Sequence, residues 1–224
     1  MNKEHIERTR VNNKLPVARE GIPFILLSLV IALIFLFLKF RYPGFFFILL
    51  TIFITWFFRD PDRKKEAEEN EILSPADGTV IDVWKLDNDQ NPLGERCIKI
   101  SIFMSVFNVH VNRAPVSGEI LDIDYNPGKF FSANLDKASE ENENNRITLK
   151  TESGSKIVFV QIAGLIARRI VCWVDIHDYV KTGQRVGMIR FGSRLDVFLP
   201  AGSEVQVRSG EKVRAGETTL GYLR

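Results

Sequence analysis

Two uncharged apolar runs, residues 22–38 in "GIPFILLSLVIALIFLFLKF" and 43–58 in "RYPGFFFILLTIFITWFFRD", constrain this chain more than any other feature. Each lies at the short end of the about 17–25 residues that cross a bilayer as a helix. A segment apolar on every side has no face to show water, so in a chain of 224 residues it reads as membrane-embedded rather than as core. A secretory signal fits badly, because the stretch is doubled, too long, and without a small-residue cleavage site. The expected object is a membrane helical hairpin over 21–58, turning at "KFRYPG" with Pro43-Gly44 as the breaker, behind a cytoplasmic tail of residues 1–20. Lys3, Arg8, Arg10, Lys14 and Arg19 precede it and Arg59, Arg63, Lys64 and Lys65 follow it. By the positive-inside bias both ends face the cytoplasm, which predicts a cell-membrane location with the rest of the chain on the cytoplasmic side. Lys39 and Arg41 in the turn oppose that orientation, although long basic side chains reach back to head groups. The runs alone leave open whether the hairpin spans or re-enters.

From residue 71 onward the texture changes to short β runs separated by glycine, among them "GTVIDVWKL", "CIKISIFM", "GEILDIDY", "KIVFVQIAG", "RVGMIRFG" and "LDVFLP". This spacing predicts a mainly β domain over 59–224, a sandwich or barrel-like hybrid, with no long amphipathic helix. "NLDKASEENENNR", residues 134–146, reads as a solvated loop or a short helix. "YVKTGQRVGMI" and "KVRAGETTLGYL" repeat a Val-basic-x-Gly turn of the kind found in lipoyl and biotinyl carrier domains, but no modifiable lysine sits at a hairpin tip. A net charge of +2 without a basic stripe argues against nucleic acid as a partner. Two lone cysteines, Cys97 and Cys172, and three scattered histidines supply no metal site, and reduced buried thiols are expected.

Four short stretches carry chemistry. "ILSPADGTV" puts Asp77 before Gly78 at a strand entrance, where a carboxylate caps its own turn. "FNVHVNRAPVSG" interrupts an apolar run with His110, a position for a bonded core histidine or for a base. "GLIARRIVCW" holds Arg168 and Arg169, adjacent and so on opposite faces of a strand. "GMIRFGSRLDVFLP" alternates like one half-buried strand yet carries a bare Gly192-Ser193 pair, which is either a bend or a serine hydroxyl set against an unshielded carbonyl.

With "FFRDPDR" after the apolar hairpin, these stretches occur in an order and spacing that resemble the short, bacterial and archaeal form of the phosphatidylserine decarboxylases, from about residue 22 to the end. The resemblance implies a proenzyme that cuts itself between Gly192 and Ser193 into a β chain, 1–192, and an α chain, 193–224, which stay together as a heterodimer, with any higher oligomer left open. It implies that Ser193 becomes a covalent pyruvoyl group, the pyruvate cofactor, whose ketone forms a Schiff base with the substrate amine while CO₂ leaves and phosphatidylethanolamine is released. His110 with Asp77 is then the base and its orienting carboxylate, Arg168 or Arg169 binds the lipid phosphate, and the partner is a membrane phospholipid. Arg59 and Arg63 are expected against lipid phosphates at the interface. Longer members read Leu-Gly-Ser-Thr at the cleavage point and hold a second histidine; here Phe191 and Arg194 flank the pair and Arg113 stands in the histidine's place. His110 then serves both reactions, or a water or another group replaces the missing one. A non-catalytic membrane-anchored lipoyl-like adaptor and a decarboxylase of the ether lipid archaetidylserine are the alternatives. A zinc peptidase lacks the histidines.

Overall fold

The computed structural model describes residues 7–8, 15–63, 65–87, 91–128, 142–164, 169–190 and 192–224. Contacts divide the chain into two compact units, Asn12–Asp62 and Met1–Val11 with Arg63–Arg224.

In the first unit the apolar runs form α1 (Ile22–Phe37) and α2 (Arg41–Phe57). Taken from Arg19, the first is long and apolar enough to cross a membrane, with a mean hydropathy of 2.5, which suggests membrane association. α2 is shorter, at 17 residues. The turn falls at Leu38–Phe40, where Lys39 adopts a left-handed φ of 64°, rather than at Pro43-Gly44. Those two residues lie in the first turn of α2, where a proline displaces no helical hydrogen bond. Gly44 instead allows close packing, since a Cβ there would stand 2.5 Å from Leu36 Cδ2. Ser28 Oγ donates across the pair to the Phe47 carbonyl at 3.2 Å, and Thr51 Oγ1 donates to the same carbonyl within α2 at 2.7 Å.

The second unit is built of β1 (Glu7–Arg8), β2 (Glu71–Leu73), β3 (Gly78–Leu86), β4 (Cys97–Met104), β5 (Val111–Arg113), β6 (Gly118–Asn126), β7 (Asn144–Lys150), β8 (Lys156–Ile162), β9 (Ile170–Cys172), β10 (Tyr179–Val180), β11 (Arg185–Ile189), β12 (Ser193–Pro200), β13 (Glu204–Val205), β14 (Lys212–Val213) and β15 (Thr219–Tyr222). A curled eight-stranded antiparallel sheet runs β10-β6-β7-β8-β12-β4-β3-β14, beside a four-stranded sheet β1-β9-β11-β5 and a three-stranded sheet β13-β15-β2. Its inner face carries alternate residues such as Ile100, Ile102, Ile147, Phe159, Leu195 and Val197 into the main core, together with Ile170, Cys172, Val186 and Ile189 of the four-stranded sheet. The mainly β expectation holds. Cys97 and Cys172 are buried thiols, not joined in a disulfide.

Two sequence expectations change. Residues 144–146 are not loop but the start of β7, because Asn145 turns inward beside the core and Arg146 pairs outward with Asp124; residues 134–141 lie outside the described ones. Residues 187–200 are not one strand. β11 ends at Ile189 in the four-stranded sheet and β12 begins at Ser193 in the eight-stranded one. The turn echo has a geometric counterpart: Gly183 and Gly216, at matching places in the two repeats, have φ of 77° and 68°.

Candidate active site

The Gly192-Ser193 bond lies where the chain passes from one sheet to another. Gly192 has φ 33°, in the left-handed region that L-residues avoid, and a Cβ there would meet nothing within 4 Å among the described residues. Conformation, not space, is what calls for glycine. Ser193 is fully buried and opens a strand bonded on both sides, with Met104 of β4 directly opposite and Arg194 opposite Ile162 of β8. By strand alternation its side chain shares the inner face with Leu195 and Val197. Its Oγ has no hydrogen-bond partner among the described residues. A buried hydroxyl without a hydrogen bond costs free energy, so its presence at this bond calls for an explanation.

His110 and Arg169 flank the approach to that bond. The His110 carbonyl accepts from Ile189 N–H at 3.3 Å, and the Arg169 carbonyl from Arg190 N–H at 3.2 Å. The His110 ring is buried, and its Nδ1 stands 3.0 Å from the Asn108 carbonyl. A carbonyl only accepts, so Nδ1 carries the proton of the neutral ring and Nε2 holds the lone pair a base requires. Asn108 closes a tight turn of its own, its Oδ1 accepting from Ser105 N–H and Oγ at 2.9 and 2.8 Å, so the histidine is fixed from behind. Arg169 is exposed, and Arg168 lies outside the described residues.

Asp77 sits at the same end of the large sheet, at the entrance of β3, one strand beyond Met104. Its carboxylate accepts from Arg63 Nη2 at 3.0 Å and from Ala215 N–H at 2.7 Å. Gly78 beside it is obligatory, since a Cβ would stand 2.2 Å from the Phe103 carbonyl. Arg63 also bonds Glu217 at 2.8 Å and is one-tenth exposed, which removes it from the expected lipid-facing arginines: it is consumed by two carboxylates. Arg113, in the place of the second histidine, donates to the Gly183 carbonyl at 2.8 Å and is a structural residue. His177 is an exposed turn residue at φ 73° bonded to Glu119.

Three features escaped the sequence reading. Behind Ser193, on the outer face, Arg194 is buried and its Nε donates to Asp196 at 2.6 Å, with Lys99 on the same carboxylate at 3.2 Å. Beside Arg169, Glu143 is buried; burial pushes its carboxyl up, against the Tyr125 hydroxyl, the Ile170 N–H and the Arg169 charge, and burial beside that carboxylate pushes the Tyr125 phenol up to about 12. On the inner face, Asn145, Gln161 and Asn112 form a chain of buried side-chain amides. Polar residues scattered over three strands carry no common sequence signal; only their register unites them.

The sequence that builds this crossover, with its buried serine and fixed histidine, is similar to that of known proteins. A family model described as phosphatidylserine decarboxylase matches residues 50–221. A phosphatidylserine decarboxylase proenzyme of Syntrophus aciditrophicus is 53% identical over 208 residues, 92% of this chain and 96% of its own. Those of Desulfotalea psychrophila and Geobacter metallireducens are 50% identical over 210 residues, 94% of this chain and 98% of the relative, and 49% over 217, 95% and 99%. The match runs through both the helical unit and the β unit and takes in every motif at the crossover, and on that ground the chain belongs to the phosphatidylserine decarboxylase family.

Proposed function

We propose that this chain is a proenzyme that cuts itself between Gly192 and Ser193 and then decarboxylates phosphatidylserine to phosphatidylethanolamine at the new end of β12. The observation that carries this reading is the buried, uncommitted Ser193 hydroxyl next to a left-handed glycine at the crossover between two sheets.

His110 Nε2 takes the Ser193 hydroxyl proton as Oγ adds to the Gly192 carbonyl carbon. The carbon–nitrogen bond then breaks, the nitrogen takes a proton, and an ester replaces the amide. Loss of the Ser193 Cα proton expels the Gly192 carboxylate, and water converts the resulting enamine to a ketone and ammonia. The site fits a pyruvoyl group made in this way: residue 193 is the source, it is buried, and its inner-face neighbour Met104 brings no group that attacks a ketone. Bound there, the group supplies the electron sink that loss of CO₂ from an amine-bearing substrate needs. His110 remains beside the new chain end to hold or deliver a proton, in both reactions, since Arg113 does not replace the second histidine. Arg169, or Arg168, holds the head-group phosphate at the mouth.

In this reading the Asn108 carbonyl, rather than Asp77, orients the His110 ring, and Asp77 serves the site as an anchor. Its carboxylate fixes the turn that leads β3 past Met104 and joins residue 77 of the larger fragment to Ala215 of the smaller. The two fragments, 1–192 and 193–224, remain a heterodimer. The helices α1 and α2 form a membrane hairpin that keeps the enzyme on the bilayer holding its substrate, the β domain facing the cytoplasm; a diacyl lipid leaves a bilayer at a cost of about 0.8 kcal/mol per exposed CH₂. The turns at Gly183 and Gly216 give the fold its lipoyl-like hybrid character.

Denaturing electrophoresis with intact mass tests the reading. The parent yields a fragment ending at Gly192 and a 32-residue piece from 193 to 224 with a blocked amino terminus, and Ser193→Ala stays whole and inactive. An active Ser193→Ala chain ends the proposal.

A further inference from the structure

The buried amides on the inner face of the large sheet form a directed chain. Asn145 on β7 donates from Nδ2 to Gln161 Oε1 on β8 at 2.9 Å. Gln161 donates from Nε2 to Asn112 Oδ1 on β5 at 2.9 Å, crossing from one sheet to the other. Asn112 donates from Nδ2 to Met104 Sδ on β4 at 3.6 Å. All three amides are fully buried; Asn145 and Gln161 share the inner face of the large sheet with Ile147, Leu149, Phe159 and Leu195, and Asn112 meets them from β5. Aliphatic side chains would fill that space without the desolvation an amide suffers, so core stability does not account for them.

The orientation of the chain matters. Asn112 Oδ1 accepts from Gln161, which leaves its NH₂ turned toward Met104, the residue directly opposite Ser193. There, among the described residues, the amide meets a thioether, a weak acceptor, and the Ser193 hydroxyl on the neighbouring strand has no partner. The backbone makes room for the same chain: a Cβ on Gly187, the register partner of Asn112, would stand 3.0 Å from Gln161 Nε2 and 2.4 Å from the Val171 carbonyl.

We infer that Asn112 is a catalytic residue of self-cleavage, its Nδ2 donating to the oxygen on which negative charge develops when Ser193 Oγ adds to the Gly192 carbonyl, and that Gln161 and Asn145 are the positioning residues that hold it. As the Oγ–carbon bond forms, the carbonyl electron pair moves onto its oxygen and the hydroxyl proton goes to His110. The Asn112 amide exchanges a poor acceptor for an anionic one at that moment and is already oriented for it, the arrangement by which one donor contributes about 10²–10³ in rate. This inference rests on the self-cleavage proposed above.

Cell-free synthesis with pulse-chase on denaturing gels measures it. Asn112→Asp, which keeps the acceptor for Gln161 and loses the donor, slows chain cleavage by about 10²–10³, and Gln161→Met, which frees the Asn112 amide to turn, slows it less. Each substitution placed on Ser193→Ala must melt near the Ser193→Ala protein, which separates lost chemistry from lost fold; if Asn112→Asp fails that check, Gln161→Met carries the test. Hydroxylamine, which cuts an accumulated ester, does not rescue cleavage in Asn112→Asp, because the ester itself forms slowly. Folded variants that cleave at the parental rate, or an Asn112→Asp chain that accumulates a hydroxylamine-sensitive ester, overturn the inference. A parent chain that never cleaves overturns the reading beneath it instead.

Discussion

Replacing Gly192 with alanine is a conformational experiment. Its φ of 33° lies in the left-handed region, and a Cβ there meets nothing within 4 Å among the described residues, so no clash is introduced. An L-residue held in that region is disfavoured by about 1–2 kcal/mol. If Ser193 attacks only when Gly192 presents its carbonyl from that conformation, the competent population falls by about 5–30-fold, and the cleavage rate with it. Asparagine visits the left-handed region several-fold more often than other residues, so Gly192→Asn should fall between parent and Gly192→Ala. The assay is pulse-chase of newly made chain, with the same substitutions on Ser193→Ala reporting the stability cost alone. A Gly192→Ala chain that cleaves as fast as the parent refutes the conformational argument. Asparagine slower than alanine refutes it differently, by showing that side-chain bulk decides.

His110→Ala should slow self-cleavage by about 10²–10⁴, the usual contribution of a general base, measured by the same gels; parental maturation would return His110 to the core. Asp196→Ala leaves Arg194 buried against Ser101 and without its carboxylate, and should lower stability by about 3–5 kcal/mol in denaturant titration. For Glu71, burial alone would raise the carboxyl, but bonds from Lys65, Thr219 and the Glu68 N–H together hold it below its ordinary 4.5. A depressed carboxylate contributes stability above that value and loses it as pH falls through the lower folded value, so the gap in melting temperature between parent and Glu71→Gln should close below about pH 4.5. A gap that widens on acidification would contradict the sign.

What the sequence revealed follows from what is local. Hydrophobic runs announced α1 and α2, and glycine-punctuated alternation announced most strands, because both signals lie within a dozen residues of one another. The helix turn was misplaced because Pro43 looks like a breaker wherever it occurs, and only the partner helix shows that it sits harmlessly in a first turn. The crossover inside residues 187–200 was invisible because alternation persists through β11 and β12, although the two belong to different sheets. Asp77 and His110 stand out in the sequence as odd residues in their own segments, whereas Asn112, Gln161 and Asn145 are unremarkable where they stand and form a chain only when register brings them together.

That register also explains how a chain can cut itself and keep its shape. β12 is paired from Ser193 to Pro200 along β4 and from Arg194 to Phe198 along β8, so the strand that begins at the proposed cut is among the most thoroughly bonded of the described ones. Further along the same fragment, β14 pairs with β3 and β15 with β2. Cleavage at the proposed position would remove one covalent link, between Gly192 and Ser193, while the hydrogen bonds that hold 193–224 to the remainder are already made. A serine placed in a loop would gain mobility from the same reaction. At the first position of a central, doubly paired strand it gains a new chain end without losing its place, and that is the property a group made from the chain itself must have if the residues around it are to stay aligned with it.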